Sequence, residues 1–104
     1  MTNDRPRWTF LTNYGHVLLC IAKDPEARLR DIAATVGITE RAAQAIVGDL
    51  VDDGYLAKSR TGRRNTYEVH ADAPMRHPAS AGHNVGELLS VLSREGSSSA
   101  SQES

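Results

Sequence analysis

The stretch from Asp31 to Gly54 constrains the fold most, because start and stop signals for two helices lie almost back to back. Asp31 opens the short apolar segment Ile32-Ala33-Ala34-Thr35-Val36, with its acid at the favourable end of a helix dipole. Gly37 then supplies the residue that tolerates the left-handed conformation at which helices close. Only Ile38 separates that glycine from Thr39, an N-cap residue followed by Glu40 in the first turn. Ala43, Ile46, Val47 and Leu50 recur at three- and four-residue spacing, and Gly54 ends the pattern. The chain must turn sharply between the two helices, and the small Ala33 and Gly37 let them approach closely.

The flanks extend this pair. Thr12 or Asn13 serves as N-cap for an earlier helix carrying Val17, Leu18, Ile21 and Ala22 on one face, which must stop before Pro25. Leu29, between Arg28 and Arg30, reads as one short buried extended step. After Gly54, the segments 55–60 and 66–70 read as strands, with Thr61-Gly62-Arg63-Arg64-Asn65 as the turn of a β-hairpin. An extended connector, 74–78, leads to a fourth helix with Val85, Leu88, Leu89 and Leu92 at i, i+3, i+4 and i+7. Residues 1–7 are polar and 94–104 are serine-rich, too poor in apolar surface to order themselves, so both ends are expected to be disordered. The expected organisation is a domain over 8–78 and a C-terminal helix over 79–93.

At 104 residues the chain has room for one small domain. It has no apolar run near the ~20 residues that span a bilayer and no signal-peptide pattern, and its one cysteine cannot form an internal disulfide. A soluble cytoplasmic protein without membrane contact is expected. The net charge of −1 argues against a nucleic-acid partner until its distribution is considered. Lys58, Arg60, Arg63 and Arg64 crowd the hairpin against Glu68 alone, while Asp49, Asp52 and Asp53 gather at the end of the preceding helix. Local charge, not the total, decides contact.

Helix, short helix, glycine turn, capped helix and basic hairpin, in that order, make a mainly α fold with a β-hairpin wing: a winged helix-turn-helix followed by a C-terminal helix. The segment 29–43, Leu-Arg-Asp-Ile-Ala-Ala-Thr-Val-Gly-Ile-Thr-Glu-Arg-Ala-Ala, resembles the helix-turn-helix of MarR-type bacterial regulators. The step 50–56, Leu-Val-Asp-Asp-Gly-Tyr-Leu, resembles their passage from recognition helix to wing. The resemblance runs from about Leu11 to His70 and implies a sequence-specific regulator that binds double-stranded DNA. With Ile32, Val36, Ile38, Ala43, Val47 and Leu50 facing inward, Glu40, Arg41, Gln44 and Ala45 are left on the outer face of a recognition helix at about 39–53. An α-helix fits the major groove, where Arg pairs bidentately with guanine and Gln with adenine. The expected DNA-binding set is Arg30, Thr39, Glu40, Arg41, Gln44, Lys58, Arg60, Arg63, Arg64 and Asn65, with the wing over 58–65 on phosphates or in the minor groove. Val85, Leu88, Leu89 and Leu92 are the expected interface of a homodimer with two reading helices. The alternative is that this stripe packs back on the first helix within one chain. A DNA-binding regulator of this kind is expected on the bacterial nucleoid.

Other chemistries have weaker support. His16 and Cys20 share a helix face at i, i+4, and His70, His77 and His83 invite a metal-sensor reading, but no Cys-x-Cys or Cys-x-x-Cys pattern joins them. Leu19-Cys20-Ile21 suggests a buried thiol rather than a redox switch. Trp8, Phe10 and Tyr14 are expected to anchor the N-terminal segment on the core rather than to stack on bases. There is no glycine-rich phosphate loop, Gly-x-Ser-x-Gly or His-Glu-x-x-His, so neither enzyme nor cofactor is expected. The competing functions are a protein-interaction module built on the same fold and a non-specific chromosome-organising protein.

Overall fold

A computed structural model describes residues 7–93. The expected disordered ends, 1–7 and 94–104, lie outside the described residues apart from the exposed Arg7. The first helix, α1, spans Asn13–Lys23 with Thr12 as N-cap, its hydroxyl accepting from the Gly15 N–H at 3.3 Å. Asp24 caps the other end in extended conformation, and Pro25 prevents continuation.

The next helix, α2, spans Leu29–Val36 and corrects the sequence reading. Leu29 is its first residue, not an extended step, and Arg28 rather than Asp31 stands at the N-cap. The Arg28 carbonyl accepts from both Asp31 and Ile32 at 3.0 Å, so the acid sits inside the first turn. What remains of an extended step is one hydrogen bond, from Tyr67 N–H to the Pro25 carbonyl at 3.0 Å, which ties the α1–α2 loop to the hairpin. Gly37 closes α2 at φ 91°, and its N–H and that of Ile38 both reach the Ala33 carbonyl. Any side chain at position 37 would strain that conformation.

The third helix, α3, spans Glu40–Asp52, with the Thr39 hydroxyl accepting from Ala42 N–H at 3.0 Å. Ala43, Ile46, Val47 and Leu50 are its buried stripe. A three-residue connection, 53–55, leads into an antiparallel hairpin of β1 (Leu56–Thr61) and β2 (Arg64–Val69). Its turn is shorter than the sequence reading. Thr61 pairs with Arg64 and Arg60 with Asn65, leaving only Gly62 and Arg63 in the loop. Two-residue loops suit the twist of paired strands, and Gly62 at φ 62° supplies the positive φ they need.

The segment after β2 does not carry the chain outward. Met75 N–H bonds to the His83 carbonyl, Val85 N–H to Ala73 and Gly86 N–H to Ala71, with a short 3-10 helix at Pro78–Ser80 between. The final helix, α4, spans Val85–Ser93. Asn84 and Glu87 cap it reciprocally, the Asn84 side chain accepting from Glu87 N–H at 3.0 Å and Glu87 accepting from Asn84 N–H at 3.1 Å. The His83 ring and the Asn84 N–H hold the Glu87 carboxyl below the ordinary range. Gly86 lies so close to the preceding loop that a Cβ would stand 2.7 Å from the Ala71 carbonyl oxygen.

Val85 and Leu89, each 7% exposed, are buried among Val17, Leu18, Ile21, Leu50 and Tyr55. The expectation that the whole α4 stripe forms a dimer interface therefore fails for these two residues. The docked connector lays α4 on α1, and half the stripe completes the chain's own core. Leu88 is half-buried, while Leu92 and Val91 remain exposed.

Candidate nucleic-acid interface

The outer face of α3 divides into two halves of opposite character. In the N-terminal half Glu40, Arg41, Gln44 and Ala45 are all exposed, backed by the buried Ala43, Ile46 and Val47. Gly48 continues this face with nothing within 4 Å of the position a Cβ would take, so a broad, low surface follows the two long side chains. The C-terminal half and the Asp53 cap that follows it are acidic, and two of these carboxylates are held. Tyr14 of α1 donates to Asp49 at 2.6 Å, and Arg76 of the connector pairs with Asp53 at 3.0 Å. The Asp49 hydrogen bond first, and then its charge, raise the Tyr14 phenol above its ordinary pKa. The negative charge at this end of the helix disfavours phosphates, in contrast to the first turns, which carry the exposed Arg41.

Thr39 caps α3 with its hydroxyl oxygen and is exposed at the helix start, where backbone N–H groups favour anions. Arg30 is exposed on α2. Trp8 and Phe10, expected to anchor the N-terminal segment, are instead exposed and pair edge-to-face with each other.

The hairpin register sorts the wing residues. Leu56, Lys58, Arg60, Asn65, Tyr67 and Val69 share one face by pairing, and Leu56 and Tyr67 bury that face against the core. Lys58 and Arg60 extend it beyond the core into solvent, and Arg63 stands exposed in the turn. Arg64 is on the opposite face, where its guanidinium donates to the Glu26 carbonyl at 3.2 Å. It therefore braces the wing against the α1–α2 loop as well as adding charge. Asn65 is the least available of the expected contacts. It is half-buried beside Tyr67, its Oδ1 has no hydrogen-bond partner, and burial pushes the Tyr67 phenol up while Asn65 opposes that shift.

Sequence reasoning missed the tethers. Tyr14–Asp49, Arg76–Asp53 and Arg64–Glu26 join residues 35, 23 and 38 positions apart, with no local periodicity to reveal them. Among the residues weighed for metal or redox chemistry, His16 bonds to Thr9 at 3.2 Å and Cys20 packs on the core, where burial raises its thiol pKa. Among the described residues no three His, Cys, Asp or Glu side chains gather as metal ligands. No described helix is long and apolar enough to cross a membrane.

Residues 15–57 match the family described as winged helix-turn-helix DNA-binding. No curated protein matches the chain. The matched span runs from α1 through the helix-turn-helix of α2 and α3 into the first residues of β1, and the hairpin follows it directly. The chain thus has the winged helix-turn-helix fold followed by a C-terminal helix, and over 15–57 it is similar to a DNA-binding family of that fold.

Proposed function

We propose that this chain is a sequence-specific transcription regulator of the MarR-like bacterial type, working on double-stranded DNA at the nucleoid without a cofactor. One observation carries the reading: Glu40, Arg41, Gln44 and Ala45 stand exposed on the first turns of a helix whose opposite face is sealed into the core. In the major groove Arg41 and Gln44 would read base edges, while Arg30, Thr39 and the wing hold phosphates or enter the minor groove. A mobility shift with genomic DNA fragments at low salt tests it. Retarded DNA supports the reading, and no retardation favours a protein-interaction module. Footprints at discrete sites, rather than uniform protection, separate a regulator from a chromosome-organising protein.

The wing makes a separable contribution. Replacing Arg63 with Ala is expected to weaken binding to all duplexes and to lower the log–log salt slope by about 0.9, the value for one phosphate contact on B-DNA. Arg64→Ala should do the same and also loosen the loop at Glu26, because its guanidinium serves both. Measuring affinity between low and moderate salt checks this; an unchanged slope removes the wing from the interface.

A homodimer would present two reading helices about 34 Å apart, one DNA turn, which single small modules need for strong specificity. With Val85 and Leu89 inside the core, the surface left for this contact is Leu88 and Leu92, joined by Val91, which is 61% exposed. Light scattering at micromolar concentration should give twice the 11.3 kDa chain mass. The double change Leu88→Glu and Leu92→Glu should return it to the monomer by burying charge in the seam. A native mass of one chain rejects the dimer.

A further inference from the structure

An apolar groove of about 690 Å³ lies between α1, the C-terminal half of α3, the 75–80 segment and α4. Leu18, Leu50, Tyr55 and Leu89 are buried at its floor, and the Phe10 and Tyr14 rings belong to its walls. Phe10 is 93% exposed and meets Trp8 edge-on with ring centroids 5.0 Å apart. A ring left so open beside an apolar groove is an unused contact surface.

The charges around the groove do not balance. Arg76 pairs with Asp53 at 3.0 Å, which leaves those two roughly neutral together. The Asp49 carboxylate accepts from the neutral Tyr14 hydroxyl, and among the described residues no ion pair offsets it. Of the other polar lining groups, His77 accepts the Ala79 N–H through Nδ1 and the Tyr55 hydroxyl donates to the Pro74 carbonyl, so neither is paired with Asp49. The upward shift of the Tyr14 phenol, set by Asp49 first and Asp53 last, agrees with a negative potential there.

We infer that this groove binds a hydrophobic organic cation, its apolar body against Leu18 and Leu50 and its charge against Asp49 and the rings of Phe10 and Tyr14. The volume falls within the roughly 300–1,000 Å³ that small-molecule sites occupy. The apolar lining disfavours strongly hydrated ligands, and the uncompensated carboxylate disfavours anions. Aromatic faces next to that carboxylate attract a diffuse cation. Because Asp49 belongs to α3 and Asp53 caps it, an occupant would touch the helix proposed to read DNA, but the inference does not depend on DNA binding.

Tetraphenylphosphonium and tetraphenylborate, nearly equal in shape and opposite in charge, test it in sodium buffer at low salt. The chain's single tryptophan, Trp8, reports through its contact with Phe10, with calorimetry as the second readout. Saturable phosphonium binding, with borate about tenfold weaker or more, is expected. Asp49→Asn should reduce phosphonium affinity about tenfold, and Phe10→Ala, at an exposed position where folding is not at stake, about fivefold. Equal affinity for the two ions, no binding of either, or an affinity that Asp49→Asn leaves unchanged overturns the proposal. Leu88 lines the groove and also belongs to the proposed dimer seam. A second copy that filled the groove would therefore make phosphonium affinity fall as protein concentration rises, and that result overturns the proposal as well.

Discussion

Replacing Ile21 with Ala is expected to lower unfolding stability by about 2–5 kcal/mol, the range for truncating a fully buried aliphatic side chain. Ile21 is 0% exposed in a core to which all four helices and the hairpin contribute, so α2, α3 and α4 cannot collapse together into the space it leaves. A domain of this size is stable by only about 5–15 kcal/mol, so the change removes a large share. Urea unfolding followed by circular dichroism measures it. A loss below about 1 kcal/mol would mean that α1 does not organise the core as described.

Replacing Arg41 with Ala is expected to cost about 1–3 kcal/mol of binding to a preferred DNA sequence, with discrimination lost at one or two base pairs. Gln44→Ala should act in the same way at a neighbouring base pair, since the two residues lie one turn apart on the exposed face. Neither change should affect folding, because both side chains are exposed and the stripe that holds α3 is Ala43, Ile46, Val47 and Leu50. Equal weakening on every duplex would make Arg41 a phosphate contact. Titrations against a selected site and its single-base-pair variants distinguish the two.

The helix-turn-helix was legible because its signals are local. Gly37, Thr39 and the Ala43-to-Leu50 stripe act within a turn or two of themselves, and the structure places them as expected. Three features were not legible, each for a physical reason. The start of α2 moved back to Leu29 because the Arg28 carbonyl, not a side chain, organises its first turn. The hairpin turn shortened to Gly62-Arg63 because pairing carries charged and polar residues into strands whenever the register allows it. The α4 stripe could not be assigned to core or interface from its spacing, since a buried face and a dimer seam have the same periodicity. Three backbone hydrogen bonds from Met75, Val85 and Gly86 decide it for Val85 and Leu89. In the proposed interface, exposure of Arg41 and Gln44 follows from helical geometry, whereas the half-burial of Asn65 and the brace at Arg64 depend on contacts distant in sequence.

The first turns of α3 are proposed to read base sequence. Selection of duplexes from a random pool, followed by affinity measurement of the enriched sequence against an unrelated duplex at the same salt, tests it most directly. A defined motif bound about 10³-fold or more tighter than the unrelated duplex is expected, with that ratio reduced by Arg41→Ala and Gln44→Ala. A pool with no enriched motif, or a ratio near one that neither substitution changes, would contradict it.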